Sequence, residues 1–142
     1  MSSGGVAPQR DPAPSKRDPL GNIARRIVQL QKEYSGKGPT KVRAHANDDM
    51  VIVLMRDIYT TVEQTLAREG REEAVLDQRH AFQEVMNTRY IKVIEEEMGR
   101  KVSAFMSTNH HNPDLSVEIF VFETDAEAAA AAAAEPDRVS PE

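Results

Sequence analysis

The 142-residue chain contains no cysteine, which excludes disulfides, thiolate zinc sites and cysteine nucleophiles in one step. It also lacks any apolar stretch near the ~20 residues needed to span a bilayer. Its opening, MSSGGVAPQR, has no apolar h-region of a secretory signal. The expectation is a cytoplasmic protein with no direct membrane insertion. A basic surplus is missing too, since the formal net charge is -5. Residues 1–18 carry +1 (Arg10, Lys16 and Arg17 against Asp11 and Asp18). Residues 124–142 carry -4 (Asp125, Glu127, Glu135, Asp137 and Glu142 against Arg138), which leaves -2 for the stretch between them. Such a balance offers no electrostatic footprint for nucleic acid. Finally, the sequence has no G-x-S-x-G elbow, no Walker loop and no H-E-x-x-H pair. The balance leans against an enzyme, and no cofactor or metal is expected.

Hydrophobic residues make up 39% of the chain, and the mean hydropathy is -0.55. Both ends contribute to that deficit. Residues 1–18 are rich in Ser, Gly and Pro and read as a disordered tail. Residues 124–142 form an acidic, alanine-rich tail in which Thr124 and Glu127 stand in capping-box spacing and Pro136 stops the run. A helix of about ten alanine-rich residues is marginal in water.

Residues 19–123 read as a single α+β domain. Ile23, Ile27, Leu30 and Tyr34 recur on one helical face, with Asp18-Pro19 at the start and Gly36 at the end. KVRAHAN alternates as a half-buried strand. Asn47-Asp48-Asp49 makes a turn, and MVIVLM is apolar on both faces. Thr60 and Glu63 open a short helix that reaches Gly70. A long helix follows with the stripe Val75, Phe82, Met86, Tyr90, Val93 and Ile94, ending at Gly99. KVSAFMS and LSVEIFVFE then form a hairpin around TNHHNPD. The order is α-β-β-α-α-β-β. Lys41-Val42-x-Ala44 and Lys101-Val102-x-Ala104 open the two hairpins alike, each after a helix with a terminal glycine. This suggests two helix-hairpin halves forming one four-stranded antiparallel sheet with helices packed on it.

Side-chain alternation assigns the two faces of that sheet. Val102, Ala104, Met106, Val117, Ile119 and Val121 share one parity and are expected to face the helices. Phe105, Phe120 and Phe122 share the other, with Val51, Val53 and Met55 close by. An exposed patch of that kind marks an interface, so a homodimer through Phe105, Phe120, Phe122, Val51 and Val53 is expected.

Candidate chemistry concentrates in STNHHNPD. His110, His111 and Asp114 are acceptable metal ligands, and Arg43 and His45 on the first hairpin could join them in binding a ligand. Yet adjacent residues of an extended segment point to opposite faces, so a solvated hairpin tip is favoured. Asp48-Asp49 reads as a turn and Glu118 as an exposed strand residue. The charges of the long helix, Arg79 among them, read as a solvated face. GKGPTK leaves a helix C-terminus, where the dipole repels anions, and reads as a glycine cap with a proline stop.

GKGPTKVRAHANDDMVIVL, the Thr60-x-x-Glu63 helix, EEEMGRKVSAFMS and VEIFVF together resemble the small bacterial MpsC-like family over residues 20–123. That family is described as a domain of unknown function and is named after a sodium-translocating, membrane-potential-generating system. Its most specific pieces here are the G-x-G-P break, the D-M-V-x-V strand and the E-E-x-x-G-x-K-V entry to the second hairpin. The resemblance implies a fold and an accessory role beside a membrane transport or energisation component linked with inorganic-carbon supply. It supplies no active-site residues.

Three functional readings follow. The first is a non-enzymatic, dimeric accessory or regulatory protein. The second is a metal-dependent or acid-base enzyme using His110, His111 and His45, with bicarbonate as a conceivable substrate. The third is a sensor holding a small ligand between sheet and helices.

Overall fold

A computed structural model of the chain describes residues 18–134. The tail expected to be disordered, apart from Asp18, and the residues after 134 lie outside the described residues. The elements run α1 (Pro19–Ser35), β1 (Lys41–Ala46), β2 (Met50–Arg56), α2 (Thr61–Arg68), α3 (Glu72–Met98), β3 (Val102–His110), β4 (Leu115–Phe122) and α4 (Asp125–Ala134). The expected α+β order is the one that forms.

Local chemistry sets most of these boundaries. Asp18 Oδ1 accepts from the Gly21 N–H at 3.0 Å, and Pro19, which needs no hydrogen-bond partner for its nitrogen, occupies the first helical turn. Gly36 ends α1 at φ 82, a left-handed position that a side chain disfavours, and its N–H reaches Lys32 O at 3.0 Å. Asn47 Oδ1 accepts from the Asp49 and Met50 N–H groups at 2.8 and 3.0 Å, closing the first hairpin. Thr60 and Glu63 form a full capping box on α2, and Gly99 ends α3 at φ 64. A second box, Thr124 with Glu127, opens α4. Every residue of α4 is exposed, so beyond this box and its own backbone no packing among the described residues supports it.

The strands form one antiparallel sheet in the order β1-β2-β4-β3. Each hairpin contributes one edge strand and one central strand, and β2 and β4 join the hairpins at the centre. The core lies between α1, α3 and one face of this sheet. Ile23 and Ile27 of α1 meet Met86, Tyr90, Val93 and Ile94 of α3 over Val51, Val53, Met55, Phe120 and Phe122.

That inner face corrects the sequence-based assignment. Phe120, Phe122, Val51 and Val53 are buried beneath the helices, and Phe105 packs against the same cluster. They are core residues, not an exposed patch. The opposite face carries Met50, Ile52 and Leu54 of β2, Val117, Ile119 and Val121 of β4, and Ala104 and Met106 of β3. None of these belongs to the core cluster, and Met106 is 51% exposed. Two facts explain the reversal. The gap between sheet and helices calls for large side chains, which the phenylalanines and Met55 supply. Ser116 and Glu118 share the parity of Phe120 and Phe122, so the inner face is polar at one end. Both are buried.

Candidate ligand site around Arg79 and Glu118

At the end of the sheet where β3 and β4 turn, the helices stand off and leave a cavity of about 170 Å³. It is lined from α1 by Gln31, from α2 by Glu63, from α3 by Arg79, Phe82 and Tyr90, and from the sheet by Ser107, Asn109, Ser116 and Glu118. Polar side chains therefore outnumber apolar ones around a space that a plain core would fill with hydrocarbon.

Arg79 organises one wall. Its position follows from the α3 stripe, since 79 lies four residues after Val75 and three before Phe82. The side chain is 7% exposed, which corrects its reading as part of a solvated face. Nε donates to Glu63 Oε2 at 3.2 Å and Nη1 to Asn109 Oδ1 at 3.1 Å, while Nη2 lies 3.7 Å from Asp114 Oδ1. The guanidinium also sits 3.8 Å above the ring of Tyr59, a cation–π contact away from water. These contacts offset the cost of burying the charge, although Nη2 itself has no hydrogen-bond partner among the described residues.

Glu118 forms the opposite wall. Central on β4, between Val53 and Ser107, it is 4% exposed, not the surface residue expected. Oε1 accepts from the Ser116 hydroxyl at 3.0 Å, but Oε2 has no hydrogen-bond partner among the described residues. Burial pushes the carboxyl up to about 7, with the Ser107 and Ser116 hydroxyls pulling it part of the way back. Above it, the Tyr90 hydroxyl donates to Gln31 Oε1 at 2.7 Å, and burial raises the tyrosine as well.

The residues singled out in the sequence separate in space. His111 and Asp114 come together on Tyr59: the His111 Nδ1 lies 2.9 Å from the Tyr59 hydroxyl with the two rings stacked, and Asp114 Oδ2 accepts the Tyr59 N–H at 2.6 Å. Burial raises the Asp114 carboxyl, outweighing both that bond and Arg79. His110 instead ends β3, turning Nδ1 to Pro113 O at 2.9 Å, beside a cis Asn112–Pro113 bond. Arg43 and His45 lie on the outer face of β1 and are exposed. Three inter-strand steps, about 14 Å, separate β1 from His110. Among the described residues no group of three His, Cys, Asp or Glu side chains could hold a metal ion. The GKGPTK segment serves structure, with Lys37 Nζ bound to Tyr59 O at 2.8 Å.

Fold and site thus define a class: a four-stranded antiparallel sheet with helices on one face and a polar cavity between the layers. The chain belongs to the MpsC family, described as "Na+-translocating membrane potential-generating system (MpsC)", whose model matches residues 18–124. It is also 28% identical over 99 residues to a protein of Bacillus subtilis (strain 168) called "Uncharacterized protein YrhF", covering 68% of this chain and 81% of that one. No solved structure matches. No helix of the described residues is long and apolar enough to cross a membrane.

Proposed function

We propose that this chain is a non-enzymatic, cytoplasmic accessory protein of a Na+-translocating membrane system, working as a homodimer through the outer face of its sheet. The family description supplies the membrane system. The observation that carries the dimer is the outer face itself, where Ile52 pairs with Ile119 and Ile119 with Met106, and Leu54 with Val117, with none of these in the core that the helices of the described residues cover. Strands about 4.8 Å apart and about 20 Å long give that face an area on the order of 400 Å², the size of patch that marks an interaction site. Two such faces stack as a sandwich at about 10 Å. Together they bury on the order of 800 Å², below the ~1,200 Å² at which stable specific interfaces begin, so the dimer is expected to be weak and concentration-dependent.

Sedimentation equilibrium across the micromolar range tests the reading. The wild-type chain should associate, and Ile119→Lys should sediment as a monomer with its circular dichroism unchanged. A wild-type monomer at every concentration overturns the dimer. Recovery of no transporter component when the tagged chain is drawn from solubilised membranes overturns the accessory role.

A further inference from the structure

The geometry points to the cavity between helices and sheet as a binding site for a small organic cation, an amine of amino-acid size, whose ammonium group is received by Glu118. This goes beyond the accessory role and does not depend on the dimer. Three observations carry it.

The first is an unspent acceptor. Glu118 is 96% buried and lines the cavity, yet Oε2 has no hydrogen-bond partner among the described residues. Leaving a buried acceptor unmatched is costly. A ligand N–H placed there would remove that cost. Tyr90 adds to the same side of the balance, because it donates its proton to Gln31 Oε1 and keeps its own oxygen as an acceptor.

The second is the charge of the walls. Arg79 is already matched by Glu63 at 3.2 Å and faces Asp114 at 3.7 Å. It leaves Glu118 without a cation of its own. An anionic ligand would meet that carboxyl, and the one guanidinium nitrogen without a hydrogen bond among the described residues, Nη2, already lies 3.7 Å from Asp114 Oδ1. A cation completes the site, and Phe82 and Tyr90 place aromatic rings in the same wall.

The third is size. At about 170 Å³ the space is far larger than a bare ion, and it is smaller than the ~300 Å³ at which drug-sized pockets begin. A molecule with a handful of heavy atoms fits. The groups facing Glu118 are Ser107 and Ser116 from the sheet, Tyr90 and Arg79 from α3, Glu63 from α2 and Gln31 from α1. Since burial holds the carboxyl up to about 7, a bound ammonium stabilises the carboxylate and should release a proton near neutral pH.

Calorimetry of the full chain with ethanolamine, putrescine and choline, against propanol and acetate as controls, tests the proposal. At least one amine should bind with saturation and one-to-one, about thirtyfold more tightly near pH 8 than near pH 5.5, where the carboxyl is protonated. Heats in buffers of different ionisation enthalpy should report proton release near pH 7. Glu118→Gln keeps the shape and should lose about tenfold or more in affinity. Ser107→Leu, which fills the space and also removes a hydroxyl that hydrogen-bonds to Glu118, should abolish binding. Absence of saturable binding by every amine shows a cavity that holds water only and overturns the proposal. So does binding that Glu118→Gln leaves unchanged, or a preference for acetate.

Discussion

Glu63 and Arg79 meet inside the protein, Oε2 to Nε at 3.2 Å, with side chains 6% and 7% exposed. Glu63 uses its other oxygen to accept the Thr60 N–H at 3.0 Å. One carboxylate thus caps α2 and neutralises the only charge α3 buries among the described residues. The short helix is tied to the long one by electrostatics as well as by packing.

That double duty predicts an asymmetric mutational response. Arg79→Ala should cost about 3–5 kcal/mol, because Glu63 is left charged and unpaired in the interior. Glu63→Gln combined with Arg79→Met should recover a substantial part of the loss, since it removes both charges and retains volume. Urea denaturation of the three proteins compares them directly. A double variant no more stable than Arg79→Ala would mean that the pair itself, and not the orphaned charge, supplies the stability.

Glu118 predicts a pH dependence of opposite sign to the usual carboxylate. Its pKa is raised from 4.5 unfolded to about 7 folded, so the native state holds the proton more tightly. The contribution is fully present below about pH 4.5 and is lost as pH rises through about 7, an effect on the order of 3 kcal/mol. The wild type should therefore lose stability relative to Glu118→Gln between those limits and run parallel to it above them. Paired denaturation curves at several pH values check this. Parallel curves throughout would show that the carboxyl is not held neutral by burial.

The two sheet faces are separated by neighbouring residues of β4. Phe120→Ala should cost about 3–5 kcal/mol, since it opens a cavity in the core beside Phe105, whose ring centroid lies 4.9 Å away. Ile119→Ala, one residue earlier on the half-exposed face, should cost about 1 kcal/mol in the monomer. Equal losses would place Ile119 under a cover that the described residues do not supply.

The contrast between those neighbours marks where the sequence was legible. Helix ends were, because Asp18, Gly36, Thr60, Glu63 and Gly99 act locally, through caps and left-handed positions that their own neighbours satisfy. Strand order was also within reach, since two similar hairpins pair naturally through their central members. Which face turned inward was not. Ser116 and Glu118 interrupt the apolar parity of β4, and only the helices above them reveal a polar cavity. Arg79 carried a usable signal, as a charged residue at a stripe position between Val75 and Phe82. Tyr59 carried none, because its partners Arg79, His111 and Asp114 come from α3 and the far hairpin.

The hairpin histidines supply the last prediction. His111 stacks on Tyr59 with centroids 5.3 Å apart, while His110 turns to its own loop carbonyl at Pro113. Because the rings diverge, a shared metal ion would have to break both arrangements. Zinc added in a calorimeter should give weak heats that His111→Ala leaves unchanged. The same substitution should lower stability by about 1 kcal/mol through loss of the stack and its hydrogen bond, and His110→Ala should change it by less than about 0.5 kcal/mol. Tyr59→Ala should cost more than either, since Arg79 then loses the ring beneath it and His111 its stacking partner, while the backbone N–H that Asp114 accepts is retained. One-to-one zinc binding that vanishes in both histidine variants would show that the tip rearranges around metal, and the stacked arrangement would then be only one of its states.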